Sequence, residues 1–422
     1  MDPEPELGKD FRAWLVSHGG HFHPNFSVVS GLSIVATEPV AVDATIVSCP
    51  LSLVITSVSS RSALSTVLGD ESVIEDWNER QLISTYLCFH WILDTQSHAV
   101  LKHLPYLNTL PPPPQLRTPL HFTQAELDAL KGTNLYGATL DRRSEWEAEW
   151  LECRKGIMRI DASWHDGLTW ERYLAAATYL SSRAFPSTLI SQTPSLVVTD
   201  SSEPVLLPGV DSLNHARGQP VSWVVNSLDP STSPESALSI SLVSHAAFPA
   251  GAEVFNNYGP KPNAELILGY GFATPENPDD TIVLKIGGHG AQGGNKWEVG
   301  RDARGIEGLW EEIVAAVRSH ATEGEQDEDA PSEWDIMLEA AELLTSMSTM
   351  LLSRLPEPSS SGAVRPDVAM MIEYYVSGQR DILTSILGFA EDKEADAVTK
   401  SSSEGGVLHL DEDLVEEDEE AE

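Results

Sequence analysis

Cysteine is scarce in this chain of 422 residues. There are three, Cys49, Cys88 and Cys153, and no Cys-x-x-Cys. Such scatter supports neither a zinc cluster nor a disulfide framework. No run approaches the roughly 20 apolar residues of a membrane helix, so no membrane association is expected. The opening Met-Asp-Pro-Glu-Pro-Glu lacks the basic and apolar regions of a signal peptide, and the default location is cytoplasmic and/or nuclear. Cations are few as well: 26 Lys and Arg face 64 Asp and Glu, a formal charge of −38. Nine of the acids lie between Asp411 and Glu422, which leaves −29 elsewhere, and no basic patch is visible. Direct binding to nucleic acid is therefore not expected, whereas an acidic surface favours encounter with basic proteins. His90, His98, His103, His121 and His165 show no regular ligand spacing, and no metal is expected.

What is present is a soluble composition, 41% hydrophobic and 21% charged, long enough for two or three domains. Lys9 to Gly20 reads as a short amphipathic helix. β-Branched runs at Val28–Thr37, Thr45–Cys49 and Leu51–Thr56 read as short strands. From residue 57 to about 200 the pattern turns helical, notably over Val73–His98, Arg142–Met158 and Thr169–Phe185. Thr123-Gln-Ala-Glu126 forms a capping box between them. Val221–Asn226, Leu238–Val243, Glu253–Tyr258 and Thr281–Ile286 read as strands again. Gly287–Gly294 lacks the Gly-Lys-Ser/Thr of a phosphate loop and reads as a connector. Residues from about 307 to 390 are helical, and the acidic, Ser-rich chain after Glu391 is expected to be disordered.

The most specific stretch runs from Pro208 to Phe272. It holds Pro-Gly-Val-Asp-Ser-Leu-Asn-His215, then Glu253-Val-Phe-Asn-Asn-Tyr-Gly259, then Asn263-Ala-Glu-Leu-Ile-Leu-Gly-Tyr-Gly-Phe272. Asn-His alone could be a turn, and Tyr-Gly alone a strand end. In this order and spacing they resemble the SET-domain methyltransferases, in the branch of the RuBisCO large-subunit lysine methyltransferase and its non-histone relatives. Pro105-Tyr-Leu107, Leu130-Lys-Gly-Thr133 and the Tyr375-x-x-Gly-Gln-x-x-Ile-Leu383 run resemble further landmarks of that family.

The resemblance implies an α+β fold: a small-stranded SET core, a large helical insert and a C-terminal all-helical substrate-binding domain. The corresponding boundaries are 1–56 and 201–280 for the SET core, 57–200 for the insert, 281–395 for the helical domain and 396–422 for an acidic tail. It also implies methyl transfer from S-adenosylmethionine to a protein lysine, with a ribosomal protein or translation factor as the kind of substrate. A histidine methyltransferase of the same fold and a catalytically inactive binding module are the alternatives. Matched residue by residue, Asn214 and His215 fall on the cofactor-binding pair, and Arg183, in Ser-Arg-x-Phe, on the arginine that faces the cofactor carboxylate. Asp211 supports the Asn-His turn. Tyr258 and Tyr270 fall on the tyrosines of the catalytic channel, Tyr258 also beside the cofactor. Gly31 and Leu32 fall on a Gly-x-Gly-Leu turn of the cofactor site, in which Val29 replaces the first glycine. The expected partner is a basic protein and the expected state a monomer.

Overall fold

In a computed structural model the protein is described over residues 4–28, 33–191, 193–227, 238–286, 295–322, 331–357 and 362–404. It divides into two compact units. The first comprises Met1–Asp128, Leu135–Ala273 and Ser361–Met371, the second Ala129–Asn134, Thr274–Ser360 and Ile372–Glu422.

Short strands form the frame of the first unit. They are β1 (His21–Phe22), β2 (Phe26–Val28), β3 (Ile34–Ala36), β4 (Ala44–Pro50), β5 (Phe185–Pro186), β6 (Pro204–Val205), β7 (Val221–Ser227) and β8 (Leu238–Ser244). One antiparallel sheet has the order β1-β4-β8-β7, and β2-β3 and β5-β6 form separate two-stranded ladders. A register shift between Thr45 and Val47 lets the consecutive side chains of Ile46 and Val47 both enter the core. The run Leu51–Thr56 is not a strand. Leu51–Leu53 is a 3-10 turn, and only Ile55 bridges, to Leu206.

Helices Glu79–Ile92 and Trp170–Arg183 pack against each other beside the sheet. The first is shorter than the expected span, because Asn78 forms a capping box with Gln81 at its start. Thr169 caps the second, and Ala175, Ala176 and Ala177 are fully buried, which permits close approach of the two backbones. Phe185 precedes Pro186, a position biased toward extended backbone, so the helix stops with Arg183 as its last residue.

Glu253–Tyr258 is not a continuous strand either. Val35 bridges Glu253, and His215 forms a parallel bridge with Asn256. Two different segments each claim one residue of this stretch, so no ladder of consecutive pairs can form.

The second unit contains the hairpin β9 (Thr281–Lys285) with β10 (Lys296–Gly300) and helices Glu307–Thr322 and Glu333–Arg354. It also holds the greater part of helix Pro366–Glu404. Glu333–Arg354 is long and apolar enough by composition to cross a membrane. Ile336, Ala340, Ala341 and Leu344 are its buried apolar residues. The Tyr-x-x-Gly-Gln run has a packing role: Tyr375 is buried, and Gln379 donates to the Thr281 carbonyl at 2.9 Å. A Cβ on Gly378 would lie 2.3 Å from the Asp280 carboxylate. Disorder after Glu391 is corrected, since the helix continues to Glu404. Ala390, Ala397 and Ser401 are fully buried, so small residues on one face pack within a segment whose average composition is polar. Residues 405–422 and 287–294 lie outside the described residues.

Candidate functional site

The site is built where the parallel bridge brings the segment 213–216 against 256–259. Asn256 donates its amide to the Asn214 carbonyl at 2.7 Å, and Ala216 donates to the Asn256 carbonyl at 2.9 Å. Tyr258 is then held at both ends by the first segment. Its backbone amide donates to His215 Nδ1 at 3.0 Å, and its hydroxyl donates to the Leu213 carbonyl at 2.7 Å. An acceptor role for Nδ1 assigns the other nitrogen as the protonated one when the ring is neutral. The His215 and Tyr258 rings stack at 5.0 Å.

Tyr270 arrives by a different route. Leu266–Tyr270 is a π-turn, closed by the Gly271 amide donating to the Leu266 carbonyl at 2.9 Å. Gly271 has φ +80, and a Cβ there would lie 2.7 Å from the Arg117 carbonyl carbon. Only glycine meets both demands. The turn stacks Tyr270 on Tyr258 at 5.0 Å, with Phe272 edge-on to Tyr270.

Asp211 and Arg183 lie on the other side of this pair. Arg183 Nη1 donates to the Asp211 carbonyl at 2.8 Å, and the Tyr106 hydroxyl donates to Asp211 Oδ2. Oδ1 of the same carboxylate is buried and has no hydrogen-bond partner among the described residues. Burial pushes the Asp211 carboxyl up to about 6, against the opposing pull of the Arg183 charge and the Tyr106 bond. Burial also raises the Tyr258 phenol, and it pushes Tyr270 up to about 12. Both phenols are therefore protonated near neutrality.

Two cavities meet here. The smaller, about 350 Å³, is lined by Asn214, His215, Tyr179, Gln115 and Phe272 among others. The larger, about 540 Å³, is lined by Asp211, Phe185, Trp223, Asn257 and Lys261 among others. Ser182, Arg183, Tyr258 and Tyr270 line both. The structure thus brings together six of the residues singled out from the sequence, but Asp211 opens on the larger cavity and Asn214 and His215 on the smaller. Gly31, Leu32 and Val29 lie outside the described residues, although the next residue, Ser33, accepts from the Asn214 amide at 3.2 Å.

In fold the chain matches, over 97% of its length, the crystal structure of the SET domain of LSMT bound to lysine and AdoHcy. The TM-score is 0.71, the identity 17%, and 98% of that chain is covered. This chain has the SET-domain fold. Among curated proteins it is similar to the ribosomal lysine N-methyltransferase set10 of Schizosaccharomyces pombe, 33% identical over 255 residues. That match covers 60% of this chain and 42% of the relative. It is also similar to the protein-lysine N-methyltransferase EFM1 of Saccharomyces cerevisiae, 25% identical over 317 residues, 65% of this chain and 51% of that one. The SET-fold chain therefore spans about half or less of the length of these relatives. No protein-family model matches it.

Sequence reasoning missed several lining residues of these cavities. Phe185 stood inside the Ser-Arg-x-Phe context that selected Arg183, so a signal for it existed. Trp223 sits in a Val-rich strand like any core aromatic, and nothing local marks its buried indole N–H, which has no hydrogen-bond partner among the described residues. Tyr106 reaches Asp211 only through the fold. One Ser/His/Asp relay lies apart from the site. Ser222 Oγ lies 2.9 Å from His245 Nε2, and His245 Nδ1 lies 2.7 Å from Asp43 Oδ1. This relay is exposed and lines neither cavity, and it ties the turn before β4 to β7 and β8.

Proposed function

We propose that this SET-fold protein is an S-adenosylmethionine-dependent protein-lysine N-methyltransferase acting on a non-histone protein such as a ribosomal protein or translation factor. The observation that carries the reading is the pair of cavities sharing the stacked Tyr258 and Tyr270. An in-line displacement needs the methyl donor and the attacking amine on opposite sides of the transferred carbon, and two chambers joined at one pair of rings supply that arrangement.

The smaller cavity falls in the roughly 300–1,000 Å³ range of small-molecule sites. Its residues fit a methyl donor of this kind: the Arg183 guanidinium for a carboxylate, Asn214 for polar contacts and His215 and Phe272 for a flat ring. S-Adenosylmethionine, when bound, supplies a sulfonium methyl. The larger cavity takes the lysine. Its side chain passes Phe185, Trp223 and Tyr270, which line this cavity. An ordinary lysine has a pKa of about 10.4, so neutralising it near pH 7 costs about 4–5 kcal/mol. Desolvation in the cavity and the neighbouring charges of Arg183 and Lys261 supply part of that. Tyr258, anchored through Leu213, orients the amine. The reaction as written uses no metal and no covalent enzyme intermediate.

The same reading takes a basic protein partner, in keeping with the chain's −38 charge. It also takes a monomer with no direct nucleic-acid or membrane contact, in the cytoplasm and/or nucleus. The test is incubation with labelled S-adenosylmethionine and a cell extract. Wild type should label a protein band, and Tyr258→Phe should label it more weakly by on the order of tenfold to a hundredfold. Failure of wild type both to bind S-adenosylmethionine by calorimetry and to label any protein refutes the proposal.

A further inference from the structure

The larger cavity extends well beyond the two tyrosines. Its outer wall comes from the segment that joins β5 to β6, with Leu196, Val198, Ser202 and Glu203 among the lining residues. The segment is held closed at its base, where Ser187 donates to the Glu203 carbonyl at 2.8 Å and Glu203 donates to Ser187 Oγ at 3.0 Å. Thr188 pins it part-way along: its carbonyl accepts from Ser195 at 3.2 Å and its hydroxyl donates to the Val197 carbonyl at 3.1 Å. At the tip, Leu196, Val197 and Val198 are 44%, 68% and 73% exposed. Three consecutive exposed apolar residues in a loop held at several points are unfavourable in water unless something covers them. Pro186 and Phe185 continue the same apolar wall inward. Glu203 is the acid on this outer part, anchored by the Ser57 hydroxyl. Lys261 stands at the inner end beside Tyr270 and is paired with Glu265.

We propose that Leu196 and Val198, with Phe185 and Pro186, form a specificity subsite for a bulky apolar residue adjacent to the target lysine, and that Glu203 turns away an acidic residue there. The inference rests on the larger cavity being the lysine side. The occupant follows from continuity, because Leu196 and Val198 line the same cavity as Phe185, Trp223 and Tyr270.

The test uses nine-residue fluorescein-labelled peptides with a central lysine, differing only in whether Leu, Gly or Asp adjoins it. Binding is read by anisotropy with S-adenosylhomocysteine present. The Leu peptide should bind about tenfold more tightly than the Gly peptide, as expected for burying most of one leucine side chain, and the Asp peptide should bind most weakly. The double substitution Leu196→Asp with Val198→Asp, at exposed positions, should abolish the Leu preference without changing S-adenosylhomocysteine affinity. Equal binding of the Leu and Gly peptides, no peptide binding at all, or a preference retained by the double variant overturns the inference. Methyl transfer to the same peptides is measured separately. A Leu preference in binding with no transfer by wild type supports the subsite while counting against the methyltransferase reading.

Discussion

Replacing Asp211 by Asn tests the electrostatics of the site most quantitatively. The carboxylate is buried, and its acid dissociates at about 6 in the folded protein against an ordinary 3.8. A raised carboxyl pKa means that the folded state holds the proton more tightly than the unfolded chain between those two values. Stability contributed by this group is therefore greatest below about pH 4, falls as pH rises through 4 to 6, and is constant above. The difference corresponds to about 3 kcal/mol at neutral pH. Asn keeps the shape, and its oxygen can still accept from the Tyr106 hydroxyl, but it carries no charge to bury. Urea unfolding of wild type and Asp211→Asn at pH 4, 5, 6 and 7 isolates the group, since every other titration is common to both. The variant should gain on wild type by about 2 kcal/mol between pH 4 and pH 7. A difference that is flat across this range refutes the claim that burial dominates this carboxylate.

The remaining predictions concern the packing that places the site. Glu126 is fully buried, and although burial, the largest influence, raises its pKa, its bonds to Arg365 and Thr123 hold it down to about 2. Arg365 Nε and Nη2 donate to its two oxygens at 2.6 and 2.7 Å, so Arg365→Met should cost roughly 3–5 kcal/mol at neutral pH by stranding the carboxylate. That loss should shrink as pH falls below the ordinary 4.5 and on toward 2; an unchanged loss in acid contradicts the pairing. Gly271→Ala should destabilise the first unit by several kcal/mol in thermal or urea unfolding, since the new methyl meets backbone at 2.7 Å and φ is +80. A near-neutral effect would mean that the π-turn does not constrain Tyr270. Arg183→Ala should weaken S-adenosylhomocysteine binding in calorimetry by about tenfold or more while leaving His215 and Tyr258 in place; unchanged affinity removes the guanidinium from the cofactor role.

Much of this was legible in the sequence, for identifiable reasons. Asn214, His215, Tyr258 and Tyr270 come from three short, ordered motifs, and the bridge between Asn256 and His215 joins the first two. Arg183 could be placed through its Ser-Arg-x-Phe context at the end of a helical run. The shorter reach of Glu253–Tyr258 as a strand was not legible, since pattern alone does not show that two different segments pair with it. Composition also misled at Glu391–Glu404, where Ala390, Ala397 and Ser401 line one face and an average over the segment hides them. The side of the tyrosine pair on which Asp211 opens, and the apolar lip at Leu196 to Val198, depend on how the chain folds back through β5 and β6. No local pattern carries that information.

The central claim is methyl transfer to a lysine amine between two cavities joined at Tyr258. It is tested most directly by mass spectrometry of the protein that the wild-type chain labels from S-adenosylmethionine. The account predicts added methyl groups on a lysine Nζ, at a site left unmodified or much less modified by Tyr258→Phe. A methyl on a histidine ring, or equal modification by Tyr258→Phe, would contradict it.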